Sequence, residues 1–126
     1  MTGDERKAAR GYKDLLVWQK GIALVKQVYR ITRTFPADEK FGLVSQIRRA
    51  AVSIPSNVAE GQARDTTREF IQFVSVAEGS LAELDTQMII ATELGYCRTS
   101  DTQEVVELIS ELRKMLNGLR RRLEDK

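Results

Sequence analysis

The side chains of this sequence with a chemistry to offer are its clustered cations. Arg48 and Arg49 are adjacent, Arg64 and Arg68 stand four residues apart, and Arg113, Lys114, Arg120 and Arg121 recur near the C-terminus. Such groups neutralise phosphates and release their counterions, giving an affinity that falls with salt. Composition removes most other chemistries. There is no histidine, hence no usual general base near neutral pH and none of the commonest metal ligand. The one cysteine, Cys97, allows no intramolecular disulfide and no thiol pair for zinc. Glu60, Glu69, Glu78, Glu83, Asp85 and Glu93 fall around their helices by projection, as solvated faces and ion-pair partners, and no pair stands out for catalysis or metal binding. The expectation is a non-enzymatic protein with no cofactor.

Charge alone does not choose a partner. Twenty Lys and Arg face eighteen Asp and Glu, a net charge of +2, and the pI of about 8.8 is only mildly basic. No zinc finger, RNA-recognition sheet motif or glycine-rich phosphate loop is present, so sequence-specific base reading is not indicated. Association with RNA or DNA through the arginines is one reading. A scaffold whose partner is another protein is the other.

The elements that must position these residues are helical. With 126 residues, 42% hydrophobic and 30% charged, the chain suits one globular domain. Residues 1–12 read as a flexible basic tail, and residues 13–126 as the domain. No apolar run nears the roughly 18 residues that span a bilayer, and the polar N-terminus lacks a signal-peptide core. A cytoplasmic protein is expected.

Asp14 reads as the N-cap of a first helix whose Leu15, Trp18, Ile22, Val25 and Tyr29 share one face, expected to be the core face. A second helix carries Val44, Ile47, Ala51, Ile54 and Val58, with a kink predicted at Pro55 and a stop at Gly61. Thr66 and Glu69 form a capping box for the third, with its seam of Phe70, Val74, Ala77, Leu81, Leu84, Met88 and Ala91. Leu94-Gly95-Tyr96 reads as a Schellman ending. Asp101 with Glu104 predicts a box for the fourth, lined by Val105, Ile109, Leu112, Leu116, Leu119 and Leu123. Short links between long helices predict an antiparallel up-down four-helix bundle. On it Arg49, Lys114 and Arg121 would point outward, while Arg48, Arg113 and Arg120 would flank the core.

The first helix bears a second stripe, Val17, Gly21, Leu24, Val28 and Ile31, about 100° round from the first. Mid-helix glycines cost roughly 1 kcal/mol against alanine, so Gly21 and Gly79 ask for a reason such as close approach of another backbone. This second stripe is the expected subunit contact of a homo-oligomer, the alternative being one broad core face with scattered exposed aliphatics.

The segment from Gln46 to Arg64, QIRRAAVSIPSNVAEGQAR, strongly resembles the signature of a bacterial four-helix-bundle family encoded by intervening sequences of 23S ribosomal RNA genes. Glu69-Phe70, Glu78 to Leu84, Leu94-Gly95-Tyr96, and Tyr12 to Leu15 with Val17-Trp18 agree with it. The resemblance spans roughly Tyr12 to Leu123. It implies a four-helix bundle assembled as a homopentameric ring, like the fold-related accessory proteins of diversity-generating retroelements, which bind nucleic acid and a reverse transcriptase. It carries over no catalytic residues. Within the motif, Ser53, Pro55, Asn57, Glu60 and Gly61 would shape the second helix and its exit.

Overall fold

The computed structural model describes residues 11–126. Among them stand four helices, α1 (Leu16–Thr32), α2 (Leu43–Ala63), α3 (Thr67–Glu93) and α4 (Thr99–Glu124), with 3-10 turns at Tyr12–Asp14 and Ala37–Glu39. No strand occurs among the described residues. Helix α2 packs on α1 and α3, and α4 packs on the same two, so α2 and α4 face each other diagonally. One cluster of buried aliphatic side chains from all four helices forms the core.

Local chemistry explains most boundaries. Thr66 Oγ1 accepts from the Glu69 N–H at 3.1 Å and donates to the Glu69 carboxylate at 2.9 Å, which opens α3. At its end Gly95 takes φ +79°, and the Tyr96 N–H reaches back to the Ala91 carbonyl at 3.0 Å. This is the Schellman closure. Three starts and stops differ from expectation. Asp14 lies in the 3-10 turn, and α1 begins at Leu16 without a side-chain cap. Helix α4 begins at Thr99, so Asp101 is its third residue and accepts from the Arg98 N–H at 3.2 Å. Gly61 does not stop α2, which runs on to Ala63. Its hydrogen instead makes room for α3, since a Cβ there would come within 2.7 Å of the Phe70 ring and 2.8 Å of Phe73 Cβ.

The expected core seams of α2 and α3 are buried at every position, and that of α4 at all but Leu119, which is half-buried. Helix α1 is the exception. Val17, Gly21, Leu24 and Val28 are buried inside this single chain, while Ile22 and Tyr29 of the expected core face are exposed and Leu15, Trp18 and Val25 are half-buried. The stripe assigned to a subunit contact is therefore the bundle's own core, with Ile31 half-buried at its edge. The physical reason is Gly21. A Cβ there would stand 3.1 Å from Pro55 Cβ, so the glycine lets α1 settle onto the proline ring of α2.

Helix α2 passes through Pro55 as one continuous α-helix, and Pro55 is buried. Two residues on, Asn57 Nδ2 donates to the Ser53 carbonyl at 2.7 Å and to Ser53 Oγ at 2.8 Å. Ser53 Oγ in turn shares a hydrogen bond of 2.8 Å with Ser80 Oγ, joining α2 to α3. Two of the motif polar residues thus have a structural use, because a polar group at a helix contact must be paired. At the N-terminal side, Tyr12 is part of the fold, its ring meeting Trp18 edge-on at 5.4 Å. The remainder of the expected tail, residues 1–10, lies outside the described residues.

Candidate nucleic-acid interface

The turn before α2 and the first turns of α2 set the geometry. Glu39 Oε1 accepts from the Leu43 N–H at 3.2 Å, giving α2 a carboxylate at its positive end. Glu39 Oε2 accepts from the Tyr96 hydroxyl at 2.8 Å, which ties this turn to the end of α3. These two donors, Tyr96 first, hold the Glu39 carboxyl below its ordinary pKa. With Glu39 so engaged, the next two residues, Lys40 and Phe41, project at the surface.

Between α1 and α2 lies a concavity of about 600 Å³ lined by Tyr29, Lys40, Phe41, Val44, Ser45, Arg48, Arg49 and Val52. Among the described residues three cations line it and no carboxylate does. Arg48 is held in place: its Nε donates to Thr32 Oγ1 at 2.9 Å, and its guanidinium carbon stands 4.3 Å from the Tyr29 ring centroid. Thr32 can accept because its own proton goes to the Val28 carbonyl at 2.8 Å. Such a guanidinium is ordered by aromatic and hydroxyl contacts, and no carboxylate among the described residues pairs with it, the condition for binding an anion. Arg49 is exposed on the rim and also borders a smaller recess of about 330 Å³ beside Ser53, Ser80 and Glu83.

The other expected cations do not converge on this surface. Arg64 sits past the far end of α2, about 24 Å from Arg48 at 1.5 Å per residue, and Arg68 lies in the first turn of α3. Arg64 pairs with Glu60 at 3.7 Å and covers the Phe73 ring at 5.0 Å, while Arg68 is exposed. On α4, Arg113 bridges to Asp85 at 3.2 Å and Arg120 to Glu78 at 2.8 Å. Arg120 also reaches Glu124 at 3.3 Å, and Glu78 foremost raises its pKa. Both arginines are thus compensated in staples between α4 and α3. Lys114 borders a recess between α1 and α4 with Leu16, Met115 and Arg122, and Arg121 is exposed.

Lys40 and Phe41 are the charged and aromatic members of the concavity that pattern reading missed, along with Ser45 and Val52 of its wall. The signal for Lys40 and Phe41 was an aromatic next to a lysine in a polar link ahead of Gly42, where no core stripe claims it. No group of three or more His, Cys, Asp or Glu residues that could hold a metal ion occurs among the described residues. No described helix is long and apolar enough to cross a membrane.

No curated protein matches the chain. A family model described as 23S rRNA-intervening sequence protein matches residues 13–118, from the first 3-10 turn into the last turns of α4. The match takes in all of α1, α2 and α3, the Ser53–Asn57–Ser80 cluster and the cationic concavity. The chain belongs to the 23S rRNA-intervening sequence protein family.

Proposed function

We propose that this chain is a non-enzymatic, self-associating bundle of the cytoplasm that holds nucleic acid by its phosphates in the concavity between α1 and α2. One observation carries the reading: Lys40, Arg48 and Arg49 share a concave surface whose lining, among the described residues, has no acidic side chain. Arg113 and Arg120, spent on Asp85 and Glu78, take no part.

The bundle is antiparallel, up-down-up-down. In support, Arg113 meets Asp85 and Arg120 meets Glu78, so α4 ascends as α3 descends. Gly21 with Pro55 and Thr32 with Arg48 have the same sense for α1 and α2. Pro55, which leaves the Ala51 carbonyl without its helical donor, bends α2 around α1.

Self-association into a ring uses outward faces, now that the Val17 stripe is core. Ile89 and Val106 line a recess between α3 and α4, and Ile22, Val76, Ile90 and Leu94 are also exposed. A contiguous apolar patch marks contact with a neighbour, and the pair lining this recess is its nucleus. The same apolar recess supports the alternative reading, a scaffold that docks a partner protein there.

Titration of RNA and DNA across a salt series tests the phosphate reading. Affinity that falls steeply with salt is expected, and no binding at low salt would overturn it. Light scattering tests association, with a particle well above the 14.3 kDa chain expected and a monomer at micromolar concentration the refuting result.

A further inference from the structure

We infer that the concavity selects single-stranded nucleic acid, RNA or DNA, by stacking an unpaired base on Phe41 while Lys40, Arg48 and Arg49 hold the flanking phosphates. This rests on the phosphate reading above and adds a partner class to it. Phe41 is 89% exposed, the most open of the large hydrophobic side chains among the described residues. A ring so placed adds nothing to the core, and solvating it is unfavourable unless something covers it.

Its backbone is nevertheless braced. The Gly42 N–H donates to the Glu39 carbonyl at 3.0 Å, and the Glu39 carboxylate is held from both sides by Leu43 and Tyr96. The Lys40 ammonium stands 5.5 Å from the Phe41 ring centroid. Aromatic platform and cation are thus presented together at the mouth of an acid-free groove. Platforms of this kind beside a basic track bind single strands, because every unpaired base has a π-face and every linkage a phosphate. A duplex offers the same phosphates, but its bases are already stacked on one another. A protruding ring gains nothing from it. A protein partner would answer the ring but leave three cations without the anions that match them.

The test compares a labelled oligonucleotide of about twelve nucleotides, within the span of known single-strand sites, as RNA, as DNA and as a DNA duplex. Affinity is followed by fluorescence anisotropy over a salt series for the full chain and for Phe41→Leu and Phe41→Trp. The native chain is expected to hold both single strands about tenfold more tightly than the duplex, the size of effect that one stacked base provides. Phe41→Leu, which keeps an apolar side chain without a π-face, should bring the single strands to the duplex level with the salt slope unchanged. Phe41→Trp should retain the preference. Equal affinity for strand and duplex in the native chain would overturn the inference yet leave the phosphate reading standing. So would an equal loss for all three ligands in Phe41→Leu. A change of particle mass in Phe41→Leu with no change in binding would assign the ring to a protein contact instead. Absence of salt-dependent binding to every ligand would remove the phosphate reading and this inference together.

Discussion

Gly21 of α1 faces Pro55 of α2 so closely that a Cβ on residue 21 would lie 3.1 Å from the proline Cβ. This contact decides which face of α1 is inside. It brings a flat ring and a bare backbone together, and the larger side chains of the alternative face, Trp18 and Tyr29, are left at the margin with Tyr12 and Arg48 as their covers.

Gly21→Val should therefore destabilise the folded chain itself. Its methyl groups must enter space held by a rigid ring, and overpacking of this kind costs about 1–3 kcal/mol. Urea unfolding checks it, with a lowered midpoint and an unchanged slope expected. A changed particle mass at unchanged stability would mean the stripe is a subunit seam after all.

Gly79→Ala should do the opposite. Gly79 is exposed within α3, and a Cβ there meets nothing within 4 Å. Alanine should gain about 1 kcal/mol from helix propensity, seen as a higher thermal midpoint. A drop in particle mass on this substitution would show instead that a neighbouring backbone needs the glycine.

The Glu39–Tyr96 hydrogen bond should appear in the pH dependence of stability. Tyr96, then the Leu43 N–H, lowers the Glu39 pKa, so its contribution is present above the unfolded carboxyl value and is lost as pH falls through the lowered one. Tyr96 is raised, chiefly by the same bond, so its contribution is lost as pH rises from the ordinary phenol value through the raised one. Tyr96→Phe should flatten both limbs of a plot of urea midpoint against pH. A wild-type profile in the mutant would deny the linkage.

Arg49→Ala and Arg120→Ala should separate in nucleic-acid binding. Arg49 lines the acid-free concavity, and its loss should weaken binding and lower the salt slope by about 0.7–0.9. Arg120 is compensated by Glu78 and Glu124, and its loss should leave both affinity and slope unchanged. Equal effects from the two would contradict the placement of the site.

The four helices, the cap at Thr66, the left-handed Gly95 and the seams of α2, α3 and α4 were legible in the sequence. Each depends on residues within a turn or two of one another, or on one periodic stripe without a competitor. Arg48 and Arg49 were legible as cations, but their surroundings were not. Thr32 and Tyr29, which fix Arg48, lie 16 and 19 residues earlier in the chain. Asp85, which compensates Arg113, lies 28 residues earlier.

Where α1 offered two stripes of equal spacing, periodicity could not rank them, because it records which residues share a face and not what that face meets. Local sequence determined that α1 is a helix with two apolar sides. Only the tertiary structure decided between them, since the choice rests on how near two backbones can come. That depends on Gly21 and Pro55 together, 34 residues apart in sequence and in contact in space.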